Sequence, residues 1–261
     1  MKKILLLAIL ALPLASGTAM AVDVIGLNDV IQTLENPFKA DAVARRGTAR
    51  SAITDFEADF FQESRLVSLN REQRGRGRVW VKFDRQSAQR VPLTMFRWEY
   101  EQPTQQEIVS NGQKMWVYLP ENNQVILSDV EFSSQTRPDD PMTFLTGLGN
   151  LSRDFLITWA TPNTDVEGNY VLELRPRRVS QMIQRLVIVV DRDAVLELTR
   201  NGSVGDFFPI LSSTVYDPNG NATLIEFHDV RVNRGLSDNF FDFIMPAGVD
   251  VVRPGEAQMG F

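Results

Sequence analysis

The chain has 261 residues with 27 basic and 33 acidic side chains, a single histidine and no cysteine. A net-negative chain lacks the basic face that non-specific nucleic-acid binding needs, and without cysteine it has neither disulfides nor thiolate metal sites. Stability must then come from a packed core, and no cofactor or metal is expected.

The first residues read as an export signal. Lys2 and Lys3 precede an apolar run over residues 4–14, and small residues follow up to Ala19-Met20-Ala21. This is the pattern of a secretory signal peptide with an A-x-A cleavage site, expected to occupy residues 1–21. The run is shorter than the roughly 20 apolar residues of a membrane span. Val22 follows, not a lipidated cysteine, so the remainder is expected to be unlipidated. It carries 25 basic and 33 acidic residues. It reads as one domain, residues 22–261, acting as a monomer.

Ile25, Leu27, Val30, Ile31 and Leu34 recur at helical spacing, predicting a first helix. Asn36-Pro37 suits the start of a second, running toward Arg46. From Phe56 the pattern alternates with period two. Strands are expected over residues 56–62, 76–83, 96–101, 107–109, 114–119 and 124–127, with Asn111-Gly112 as a hairpin turn. Gly75-Arg76-Gly77 reads as an arginine-rich turn. Pro138-Asp139-Asp140-Pro141 is a turn leading into a helical face of Met142, Phe144, Leu145 and Leu148. Strands then resume at 170–175, 185–190, 195–199, 211–216, 224–232 and 240–244, with turns at Asp191-Arg192-Asp193 and Asp217-Pro218-Asn219-Gly220. The expected fold is mainly β with some α: about ten or eleven antiparallel strands, two helical segments at the start and one in the middle.

Such a sheet must have its apolar face covered. Phe56, Phe60, Phe96, Trp98, Trp116 and Tyr118 are assigned to the inward face. Two readings fit these rings: they fill a core, or they line a hollow.

Several segments resemble one family. Phe56-Glu57-Ala58-Asp59-Phe60-Phe61-Gln62 is similar to the opening F-x-A-x-F-x-Q strand of the LolA-type periplasmic lipoprotein carriers. Gly77-Arg78-Val79-Trp80-Val81-Lys82 resembles the next strand, G-x-L-W-V-K. Phe96-Arg97-Trp98-Glu99-Tyr100 with Pro103, the hairpin from Ile108 to Tyr118, and the closing Phe243-Ile244-Met245-Pro246-Ala247-Gly248-Val249 follow in the family's order. The resemblance implies an incomplete antiparallel β-barrel with helices covering the open concave side, and a carrier without catalytic activity, whose hollow takes the acyl chains of lipoproteins. It would receive them from an inner-membrane lipoprotein-releasing transporter and pass them to an outer-membrane lipoprotein receptor. On that reading the lipid-binding residues are Leu34, Phe60, Phe96, Trp98, Trp116, Tyr118, Phe144, Leu145 and Leu148. The family also implies a basic residue that latches the lid. The insertion at residues 83–94 offers Arg85 and Arg90; Arg90 is the choice, with a solvated loop arginine as the other reading.

Competing classes are weaker. His228 stands alone between Phe227 and Asp229, so a serine triad or histidine metal centre would rest on one residue. Asp139 and Asp140 sit between prolines and read as turn and cap rather than as a glycosidase pair. A carrier or sensor of another lipid on the same fold stays open as the alternative.

Overall fold

The computed structural model describes residues 24–39, 52–84, 93–130, 148–180 and 182–253. The signal peptide, Arg90, Phe144, Leu145 and the Pro138–Pro141 turn lie outside them, as does most of the second helix expected from Pro37.

Twelve strands form one open sheet: β1 (Asp55–Leu66), β2 (Arg71–Asp84), β3 (Leu93–Gln102), β4 (Gln106–Ser110), β5 (Lys114–Leu119), β6 (Gln124–Asp129), β7 (Phe155–Thr164), β8 (Tyr170–Pro176), β9 (Arg185–Val190), β10 (Ile210–Tyr216), β11 (Ala222–Val232) and β12 (Asp250–Val252). Their order is β12-β6-β5-β4-β3-β2-β1-β11-β10-β9-β8-β7. Every pairing is antiparallel except β12 on β6, which is parallel. The two ends do not pair, so the barrel is incomplete, as the family resemblance implied.

The sheet curls around one core. β3 and β11 are separated by β2 and β1, and three steps of about 4.8 Å would hold them roughly 14 Å apart if flat. Yet the Trp98 and Phe227 ring centroids are 6.4 Å apart. One glycine permits a close approach within this curve. Gly77 faces β3 at a register shift, and a side chain there would collide with the Glu99 carbonyl oxygen. Gly75-Arg76-Gly77 is thus not a turn but part of the 14-residue β2.

Three α-helices accompany the sheet among the described residues. α1 (Leu27–Glu35) starts at Gly26, whose N–H is held by Asp29 Oδ2 at 2.8 Å. It runs into a 3₁₀ turn, Asn36–Phe38. α2 (Leu151–Asp154) leads directly into β7. α3 (Arg192–Asn201) occupies the segment expected to be a strand at 195–199. The reason is the cap: Asp191 Oδ1 accepts from the N–H groups of Asp193 and Ala194, and Gly202 at φ 73° ends the helix. Ala194, Val195 and Leu198 then share a helical face, which five alternating residues mimic as a strand.

The strand expected at 240–244 is also absent. Residues Asp238–Phe241 form a 3₁₀ turn, and the chain from Asn233 to Val252 runs as a strap over the outer face of β2 to β6. Lys82 Nζ donates to Leu236 O (2.6 Å) and meets Asp238 (2.5 Å), and Phe240 packs on Trp80 and beneath the Arg97 guanidinium. Asn123 Nδ2 donates to Gly248 O, after which β12 pairs with β6. The strap begins at a buried carboxylate: Asp55 accepts from the N–H groups of Arg234 (2.6 Å) and Gly235 (3.1 Å).

Candidate functional site: the inner face and its plug

Alternation puts Phe56, Ala58 and Phe60 of β1, Val79 and Val81 of β2, and Phe96 and Trp98 of β3 on the inner face, all buried. Ile225 and Phe227 of β11, Ile188 and Val190 of β9, and Leu172 and Leu174 of β8 continue it. The rings interlock: Phe60 meets Trp98 edge-on at 4.5 Å, and Phe56 lies 4.4 Å from Phe208. The face changes character along β1. Beyond Phe60 come Gln62, whose Oε1 accepts from Tyr100 OH at 2.7 Å, and Ser64, 3.2 Å from Thr223 Oγ1.

Among the described residues, no second sheet covers this face. α1 and its 3₁₀ turn do, with Val30, Leu34 and Phe38 pointing in. Phe38 stands edge-on to Phe83 at 5.2 Å and to Phe208 at 6.1 Å. Leu148 and Leu151 join the same cluster. At Gly149, φ is +93°, and a side chain would press on the Phe38 carbonyl at 3.0 Å, so a glycine lets the α2 entry fold against the plug.

The plug is held by a residue that the sequence reading missed. Glu35 is buried, yet its Oε1 accepts from Ser152 N–H at 2.6 Å and its Oε2 meets Lys39 Nζ at 3.3 Å. It ties the end of α1 to α2. The signal was present: Glu35 falls four residues after Ile31 and eight after Leu27, a carboxylate on the apolar stripe.

Of the residues expected to bind lipid, Leu34, Phe60, Phe96, Trp98 and Leu148 are gathered in this buried cluster. Trp116 and Tyr118 are not. Met115 and Val117 occupy the inner side of β5, which sends Trp116 and Tyr118 to the outer face, where they flank Phe243 of the strap at 6.1 and 6.0 Å. Their assignment to the hollow is corrected accordingly. Phe144, Leu145 and Arg90 lie outside the described residues.

Among the described residues, three buried polar side-chain atoms have no hydrogen-bond partner: Trp98 Nε1, Thr94 Oγ1 and Ser213 Oγ. Thr94 and Trp98 share the inner side of β3, and Ser213 pairs with the inward Ile225 and Ile188. An unsatisfied buried donor or acceptor costs about 1–3 kcal/mol, so these atoms suit a visitor bearing polar groups among its apolar ones. On the outer face, burial pushes the Glu107 carboxyl above its ordinary value of 4.5 despite its bond from Arg97. His228 is exposed, 3.9 Å from Glu226, and no group of three or more metal-ligating side chains occurs among the described residues.

Similarity to known proteins assigns the family. The sequence profile described as "Outer membrane lipoprotein carrier protein LolA" matches residues 51–244. The outer-membrane lipoprotein carrier protein of Pseudomonas paraeruginosa is 30% identical over 162 residues, 61% of this chain and 66% of that protein, just under two thirds of its length. That of Hahella chejuensis is 26% identical over 254 residues, covering 97% of this chain and 99% of the relative. Among solved structures, a conserved protein from Thermus thermophilus aligns with a TM-score of 0.47 at 14% identity, over 87% of this chain and 98% of that one. A LolA superfamily protein from Nitrosomonas europaea gives 0.38 at 14%, over 84% and 98%. With the profile spanning most of the sheet, from the residues just before β1 to the Phe243-Ile244 segment of the strap, the chain belongs to the LolA family of outer membrane lipoprotein carrier proteins.

Proposed function

We propose that this protein carries lipoproteins through the periplasm, sheltering their acyl chains on the inner face of the sheet. It would take them from an inner-membrane lipoprotein-releasing transporter and give them to an outer-membrane lipoprotein receptor, as a monomer and without cofactor. The observation that carries the reading is the way the inner face is covered: among the described residues, a broad apolar surface is closed by short helices, α1 with its 3₁₀ turn foremost, rather than by a second sheet. Family membership supports it, as do relatives that are themselves outer-membrane lipoprotein carrier proteins.

The physics of the task fits this arrangement. Each buried methylene is worth about 0.8 kcal/mol, so a 16-carbon chain amounts to roughly 12 kcal/mol. A carrier offering that surface open would hold its cargo too well to release it. Val30, Leu34 and Phe38 occupy the same surface, so acyl chains bind only by displacing them, and their return aids release. The Trp98 indole N–H, a donor only, suits an ester carbonyl, an acceptor only.

The test is native mass spectrometry of protein purified from periplasm, followed by extraction of the bound material. A bound triacylated lipoprotein supports the proposal. A free lipid alone transfers the hollow to another cargo. No bound species, together with failure of a fluorescent fatty acid to bind, overturns it.

A further inference from the structure

At the β7 edge the inner face ends in a recess of about 490 Å³. Its floor is apolar: Phe155, paired with Pro176, lies on the same side of β7 as the buried Ile157, and Ile183 belongs to the core cluster. Its rim is basic, formed by Arg153, Arg177 and Arg178 with one carboxylate, Asp154. Arg153 spends its charge on Asp154, donating from Nε at 2.9 Å and from Nη2 at 2.7 Å. Arg177 braces α2, its Nε donating to Ser152 O at 3.1 Å, which leaves its two terminal amino groups. Arg178 is exposed and makes no hydrogen bond among the described residues, acting on Asp154 only through its field. The rim therefore keeps two uncompensated guanidinium groups on a chain that is net negative overall.

We propose that this recess binds the phosphate head group of a single- or double-chain anionic lipid whose tail lies on the inner face. The inference rests on the acyl-hollow reading for the tail and adds a second class of ligand. Two observations favour this occupant. Register places the recess at the polar end of the hollow. Phe155 and Pro176 close β7 and β8 at the end where Arg185 pairs with Tyr216, Tyr216 with Ala222, and Ala222 with Arg65 just past Ser64. Tails would thus point toward Phe56 and Phe60, and heads toward Gln62, Ser64 and the arginines. Guanidinium forks also match phosphate oxygens in pairs, which an uncharged glycerol head cannot use. The size is within the range of small-ligand pockets.

The test compares two probes that share a tail, 1-oleoyl-lysophosphatidate and 1-monooleoylglycerol, by calorimetry below their aggregation concentrations. The expected result is that lysophosphatidate binds at least tenfold more tightly in low salt, that the preference shrinks at high salt, and that Arg177→Gln/Arg178→Gln removes the preference. Arg178→Gln alone, which leaves the brace on Ser152 in place, should remove part of it. Equal affinity of wild type for the two probes overturns the head-group site and leaves the hollow standing. A preference that survives in both folded variants overturns it as well. If neither probe binds, the acyl hollow falls and the head-group site with it.

Discussion

Glu35 offers the sharpest perturbation of the plug, because it fixes α1 to α2 through one bond. Glu35→Ala removes the 2.6 Å acceptor of Ser152 N–H and the contact with Lys39. Hydrogen bonds to charged groups contribute about 1.5–3 kcal/mol. Ser152 is exposed, so its freed N–H can turn to water, which places the loss near the lower end of that range. The Lys39 pair is half exposed and adds little. A loss of about 1.5 kcal/mol shifts the closed-to-open balance of the plug roughly tenfold. If acyl chains bind only the open form, apparent affinity rises by that factor. Titration with a fluorescent fatty acid should show binding about tenfold tighter, with a lowered melting temperature. Glu35→Gln, which keeps an acceptor, should fall between. Unchanged affinity in a variant that melts earlier would refute the reasoning, since the plug would then not be what the acyl chains displace.

Other expectations follow from single features. Asp55→Ala removes the buried carboxylate that accepts from Arg234 and Gly235; both residues are exposed, so their N–H groups can turn to water, and the loss should be about 1.5–3 kcal/mol in chemical denaturation, with a loss below about 1 kcal/mol meaning that the strap is anchored elsewhere. Trp98→Phe removes the unpartnered indole donor, so a preference for 1-monooleoylglycerol over its alkyl-ether analogue, about 2- to 10-fold in the native protein, should vanish; its persistence would point to another donor. Glu107, raised by burial, binds its proton more readily folded than unfolded, so its stabilising contribution is complete below pH 4.5 and is lost as pH rises through the folded value. Thermal melts should therefore show Glu107→Gln gaining on the native protein as pH rises above 4.5; a gap that narrows would mean that Arg97 outweighs desolvation.

Much of the sheet was legible because one face is buried and the other is not, which writes period two into β1, β2 and β3. The reading failed where that contrast is lost. In Lys114-Met115-Trp116-Val117-Tyr118-Leu119 both faces are apolar, since the core lies on one side and the strap on the other. Alternation separates two such faces without saying which is inside, and the larger rings proved to be the outer set. β7 was missed because its edge position leaves Leu156 and Thr158 facing water, while Pro162 and an interrupted register blur its end. β12 was missed because three residues carry no period, and its partner β6 is remote in sequence. α3 reversed the expected strand because capping at Asp191, a local hydrogen-bond feature, outweighed five alternating residues. The plug helix was recognised from its stripe, but its fastening depended on one carboxylate whose partner is 117 positions away.

The two margins of the sheet bear on how this protein survives at high concentration. A bare strand edge is a template on which another copy can add its own strand, the first step toward insoluble aggregates. β12 lies along β6 and takes up that margin over three residues. At the other margin, the pairing of β7 with β8 shifts between Trp159 and Thr164, which bends the edge strand, and the same stretch includes Pro162, which has no N–H to offer. On the proposed carrier reading, a protein that uncovers a greasy interior would give its neighbours less backbone to zip onto while open, and the short strand β12 would act as a safeguard of solubility.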